Sequence, residues 1–199
     1  MTAIWNNFED GTKTLEYYAD VLTKLGAATA ASTDEISDGL EKFAAIADTV
    51  GLSYETAAAS VATVIDKTRQ SADVVGTSFK TIFARMEGLK LGETLEDGVD
   101  LNKYTEALAS VGVEVLDASG ELRDMDDILD ELGEKWDGFG RTAQIALAQT
   151  VGGVKQYNQM ISLMDNWDSV EENIERAKNA TGELSDQQEI WADSYEAAS

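Results

Sequence analysis

The densest offer of oxygen ligands in the chain is the run Asp117-Ala118-Ser119-Gly120-Glu121, followed by Asp124, Asp126 and Asp127. Such residues suit a hard cation such as calcium. An EF-hand loop, however, needs glycine at its sixth position and glutamate at its twelfth, and counting from Asp117 those places hold Leu122 and Ile128. The match fails. Asp124, Asp126 and Asp127 are explained instead by the preference of carboxylates for the start of a helix. Two acids about 5–10 Å apart in a cleft would suit glycoside hydrolysis. With 38 Asp and Glu in the chain, though, pairs arise by chance. Glu134 beside Trp136 is the acid nearest an aromatic setting, and a helix surface accounts for it. Gly152-Gly153 ahead of a helical stretch could cradle a phosphate. It lacks the preceding strand and the Lys-Ser/Thr of a P-loop, so a helix-to-helix turn is the better account.

Histidine and cysteine are both absent. Their absence removes the commonest general base, the commonest transition-metal ligand, disulfides and every Ser-His, Cys-His or His-zinc constellation. An enzyme would have to run on carboxylates, Lys, Tyr or Ser alone, and no catalytic, cofactor-binding or metal-binding residue is assigned. Lys and Arg number 15 against the 38 acids, a net charge of -23 spread along the whole length. That field repels phosphate backbones, so no direct nucleic-acid binding is expected. The one local basic patch is Lys67, Arg69, Lys80, Arg85 and Lys90, opposed only by Asp73 and Glu87. Lys80 and Arg85 are expected to pair with acids of other helices. The N-terminus has neither a basic n-region nor an apolar h-region, and no apolar run approaches the roughly 20 residues that span a bilayer.

With 43% hydrophobic residues the chain can build a core, and its punctuation is helical: no proline, and glycines at intervals suited to helix ends. A first helix is predicted over residues 13–25, closed by Gly26. Ser32 and Glu35 form a capping box for a helix with Ile36, Leu40, Phe43, Ala47 and Val50 on one face, stopped by Gly51. Ser53 caps a third, residues 54–69, with Ala57, Val61, Val64 and Ile65 inward and enough alanine for close packing. Ser71 caps a fourth, with Val75, Phe79, Ile82, Phe83 and Met86 at spacings of three and four, ended by Gly88.

Residues 89–100 hold two glycines and four acids and read as a connector between an N-terminal helical group, 1–88, and a second group, 101–199, the two possibly forming one continuous domain. A helix at 101–110 leads to a short β-hairpin at 113–123, where Val113, Val115 and Leu122 flank a glycine-containing turn. Helices follow at 126–136, 141–150, 154–167 and 169–180, and one from Ser185 runs off the end, as in a fragment of a longer protein. The expected fold is mainly α, a compact domain of about nine or ten helices with one short hairpin. Trp136, Trp167 and Trp191 lie near helix ends, where large aromatics close a core or cover an interface.

Taken in order, several segments resemble the core domain of phage tail tape measure proteins, over residues 19–180. They are Ala19-Asp20-Val21-Leu22 leading to Ser32 through Leu40; Thr49-Val50-Gly51-Leu52-Ser53 with Glu55-Thr56-Ala57; and Gly76-Thr77-Ser78-Phe79-Lys80-Thr81-Ile82-Phe83-Ala84-Arg85. The likeness continues through the hairpin with Asp126-Asp127-Ile128-Leu129 and Trp136-Asp137. It ends in Gly152-Gly153 with Gln156 and Asn158, and in Leu163-Met164-Asp165-Asn166. Gly153-Val154-Lys155 departs from the basic residue that such proteins often carry after the glycine, which weakens any contact charge assigned there.

The resemblance implies a virion structural protein of a phage or prophage, not an enzyme. Such proteins occupy the tail interior after assembly in the host cytoplasm, set tail length and leave during genome delivery. It also implies protein partners: tail tube, tail tip or baseplate, assembly chaperones, and copies of itself, with membrane contact only through parts outside this segment. Leu122, Ile128, Trp136, Trp167, Lys80 and Arg85 are the candidate contact residues. A compact fold of this size has a radius of gyration on the order of 16 Å, whereas one continuous helix would reach roughly 300 Å; the glycine spacing selects a folded module, with the length-setting helices outside it. Two rivals come from other classes: an acidic DNA mimic whose carboxylates imitate phosphates, and a carboxylate-based hydrolase of cell-wall glycans.

Overall fold

The computed structural model describes residues 6–8, 11–88 and 102–182. Residues 6–8 are helical, and eight longer helices follow: α1 (Leu15–Ala28), α2 (Thr33–Thr49), α3 (Tyr54–Thr68), α4 (Ala72–Gly88), α5 (Asn102–Ser110), α6 (Met125–Trp136), α7 (Arg141–Met164) and α8 (Trp167–Lys178). The expected connector at 89–100, the last helix from Ser185 and Trp191 lie outside the described residues.

The helix starts follow local hydrogen bonding. Ser32 Oγ accepts from Glu35 N at 3.2 Å while Glu35 returns a carboxylate to Ser32 N at 2.8 Å, the reciprocal capping box at the head of α2. Ser53 accepts from Thr56 N at 3.2 Å and Ser71 from Val74 N at 3.4 Å, starting α3 and α4. Thr14 does the same for α1. The end of α1 differs from expectation. Gly26 lies inside the helix, which continues to Ala28, because the glycine serves packing: a Cβ there would sit 2.6 Å from Thr33 Oγ1 at the start of α2.

Helix α3 is the axis of the molecule. Every residue from Tyr54 to Ile65 is buried, since its alanines let α1, α2, α4, α7 and α8 approach from all sides. The most extensive helix pair is α2 with α4. At its crossing Gly39 meets Gly76, where a Cβ on Gly76 would collide with the Gly39 carbonyl oxygen. That close approach brings Phe43, Phe79 and Phe83 together with ring centroids 5.6–5.8 Å apart. One hydrophobic cluster includes residues on both sides of the 89–100 segment, from Tyr18 through Met86 and from Leu108 through Ala180. The far end is tied back to the first helix by Gly182 N, which donates to the buried Asp20 carboxylate at 2.8 Å.

The expected β-hairpin at 113–123 is not formed as a pair of strands, and no sheet occurs among the described residues. What remains is a single antiparallel bridge, Leu116 with Leu122, closed by Asp117 N to Glu121 O at 2.8 Å and Arg123 N to Val115 O at 3.0 Å. The ladder stops because the flanking backbone donors are taken: Val113 N bonds Leu108 O at the end of α5, and Met125 N bonds Val50 O at the end of α2. Helix α7 spans the two helices expected at 141–150 and 154–167. They join at Gly153, whose φ of 72° and ψ of 168° break the helix.

Candidate interaction surface

The six residues singled out from the sequence occupy different environments. Ile128 and Trp136 are buried in the core, Trp136 donating its indole N–H to Asp165 at 2.6 Å. Leu122 is half-buried beside the bridge. Lys80 is exposed and pairs with no described acid. Arg85 is half-buried, its guanidinium pressed against the α7 kink so that a Cβ on Gly153 would lie 2.9 Å from it. Gly152-Gly153 and Arg85, read separately in the sequence, are therefore one packing unit. Trp167 is buried to within 4% and lies across Gly133 of α6, where any Cβ would overlap the indole.

The acidic turn at Asp117 has its own explanation. One carboxylate oxygen accepts from Ser119 N at 2.8 Å, Ser119 Oγ at 2.6 Å and Glu121 N at 3.0 Å. The Ser119 hydroxyl, followed by the Glu121 and Ser119 amides, holds the Asp117 pKa below the usual carboxylate range. These bonds build a turn. No group of three or more His, Cys, Asp or Glu side chains among the described residues is arranged to hold a metal ion.

Two other acidic sites are set by the tertiary fold. Glu55, in the first turn of α3, is 5% exposed. Lys13 Nζ reaches it at 2.6 Å, and Tyr17 donates its hydroxyl to the same oxygen. Burial pushes the Glu55 carboxyl upward, but the hydrogen bonds from Lys13 and Tyr17 outweigh that and its pKa is lowered. Tyr17 is pushed the other way, by burial and by the Glu55 carboxylate. Phe8 packs edge-on to Tyr54 at 5.4 Å, and its carbonyl accepts from Tyr18 Oη at 2.6 Å, so residues before α1 lie along the same surface.

The second acidic site is a cleft of about 440 Å³ between α6 and α8. Asp126, Asp127 and Asp130 line one side and Glu171 and Glu175 the other, with Trp167, Ile174 and Thr56 contributing to its wall. Its acids confront one another. The Glu171 pKa is raised, first by burial and then by Asp130, Asp168 and Glu134. Lys178 at the rim is engaged by Glu175 at 3.4 Å. A second cleft, about 410 Å³, adjoins the first through Asp126 and Asp127 and has Phe8 and Lys13 among its lining residues. Asp126 also fixes the local geometry, accepting from Ser53 N at 3.0 Å.

The cleft was not evident as a site in the sequence, because each helix on its own looks like a solvated acidic face. The available signal was the spacing Asp127, Asp130, Glu134 and Asp168, Glu171, Glu175, two stripes of the same sign at helical intervals. No helix among the described residues is long and apolar enough to cross a membrane.

Comparison with known proteins gives no matching solved structure. A family model described as phage-related minor tail protein matches residues 1–153. The match runs from before α1 to the kink glycine of α7, and so covers the buried axis helix, the Gly39–Gly76 crossing and the α6 side of the acidic cleft. It covers more than half of the 199 residues, and the chain belongs to the phage-related minor tail protein family.

Proposed function

We propose that this tail component is a folded module of a tape measure protein, taking part in tail assembly and length determination and in genome delivery through protein contacts and without chemistry of its own. The observation that carries the proposal is the family match over residues 1–153, joined to a helical fold with one continuous hydrophobic cluster. A module of that kind offers faces for the tube, the tip or baseplate, assembly chaperones and further copies of itself, while length is measured by helices elsewhere. The absence of histidine and cysteine, and an Asp117 turn satisfied by its own amides, fit a contact role. A net charge of -23 suits a protein that shares a channel with DNA without adhering to it.

The test is made on the phage. An in-frame deletion of the coding region for this segment, viewed by negative-stain electron microscopy, is expected to give particles without tails or with tails of altered length. Tails of normal number and length would overturn the proposal.

A further inference from the structure

Helix α7 is divided at Gly153, and its two halves bury opposite sides. Val151 and Met160, both buried, would lie about two and a half turns apart in an unbroken helix and so face opposite ways. Gly153, with its φ of 72° and ψ of 168°, redirects the second half so that it packs, and Val154 immediately past it is 77% exposed. That backbone conformation is open to glycine and closed to most other residues, which suits a hinge point. The family match ends at the same residue.

Residues 154–182, the second half of α7 with α8, lie on the rest of the molecule along a seam that mixes apolar and polar contacts. Met160, Leu163, Met164, Trp167 and Val170 are buried in it. Beside them Gln159 donates to Gln70 at 2.6 Å, Asn173 to Thr63 at 2.9 Å, and Gly182 N to Asp20 at 2.8 Å. Thr56, Ser60 and Thr63 share one face of α3, and α8 covers it: Thr63 meets Asn173, and Thr56 lines a cleft with Trp167 and Ile174. Among the described residues three buried side-chain polar atoms lack a partner. They are Ser60 Oγ on that face, and Gln159 Oε1 and Trp167 Nε1 on the segment that covers it. Such atoms regain hydrogen bonds only when water reaches them. None of the three lies at the α2–α4 crossing, where the phenylalanine rings meet. Charge acts in the same direction. The Glu171 carboxyl on α8 is pushed up first by burial, then by Asp130 of α6, Asp168 of its own helix and Glu134 of α6. The nearby cations are engaged elsewhere, Lys178 by Glu175 and Arg176 by Glu172 and Asn173.

We propose that residues 154–182 form a hinged arm that undocks from α3 and α6 as a unit, about Gly153, while the helices before the kink stay folded. The apolar contacts keep the docked form dominant; repulsion between the facing acids of α6 and α8 sets how often it opens. Undocking bares the Thr56, Ser60 and Thr63 face of the buried axis helix.

The test is hydrogen–deuterium exchange of the whole chain, read by mass spectrometry. Amides of residues 154–182 are expected to exchange together, at least about tenfold faster than those of α2 and α4, as a unit of lower local stability does. Asp130→Asn with Glu171→Gln is expected to slow exchange of the arm by about threefold, the scale of one exposed charge pair, and to leave α4 unchanged. Asp38→Asn with Glu41→Gln removes the same charge from the exposed face of α2 and is expected to leave the arm as it was. An arm that exchanges no faster than α2 and α4 would overturn the proposal. So would an arm that the cleft pair does not slow, or that both pairs slow equally.

Discussion

Glu55 and Glu171 are both glutamates on helices of an acidic protein, yet the fold sets them in opposite directions. Glu55 is held low by Lys13 and Tyr17 against the opposing effect of burial. A carboxyl lowered in the folded state contributes stability above its unfolded value of about 4.3, and that contribution is lost as pH falls through the lowered folded value. Glu55→Gln should therefore destabilise the protein at neutral pH by about 1–3 kcal/mol, by loosening a buried, charge-assisted contact, and should flatten the acid limb of the stability profile. Glu171, raised by burial and by Asp130, Asp168 and Glu134, has the reverse sign: its ionised form opposes folding at neutral pH, and stability is recovered as pH falls through its raised value. Glu171→Gln should leave the melting temperature at neutral pH unchanged or slightly higher. Urea denaturation of both variants between pH 4 and 8 reads the two signs; a loss of stability at neutral pH in Glu171→Gln would contradict the account of the cleft.

Among the elements, the helix starts were legible because capping is local. Ser32, Ser53 and Ser71 each bond within their own first turn. The glycines were legible as punctuation, but their long-range roles were not. Gly26 and Gly76 are set by what packs against them, while Gly51 past the end of α2 and Gly153 at the α7 kink combine a positive φ with a close neighbour, Asp124 and Arg85. The hairpin was misjudged for the same reason: Val113, Val115 and Leu122 alternate as a strand pair would, but Leu108 and Val50 supply the acceptors that claim the flanking amides. Ile128 and Trp136 carry the helical period that marks a core face, and they are core. The cleft depends on two faces meeting from residues about forty apart, information that no local window carries. The α2–α4 crossing gives the sharpest test at this scale. Gly76→Ala places a methyl group against the Gly39 carbonyl oxygen, backbone against backbone, and should cost about 1–3 kcal/mol. In a protein of this size each kcal/mol lowers the melting temperature by about 2–4 °C. Thermal unfolding followed by circular dichroism should show that fall, and Gly120→Ala makes the comparison, since Gly120 has open space around it and only its positive φ to lose.

At the scale of the whole molecule, 38 acids against 15 bases give a net charge of -23, a field that favours encounter with basic surfaces and repels nucleic acid. Among the described residues the fold surrounds a buried axis helix and sets acids of α6 and α8 facing one another across one cleft. The most direct test of a contact role is carbodiimide cross-linking of intact virions, which joins carboxylates to lysines that touch them, read by mass spectrometry. The account predicts links from carboxylates of this chain to lysines of another tail protein. It is contradicted if the chain is absent from virions, or if it is present and its acids form no intermolecular link.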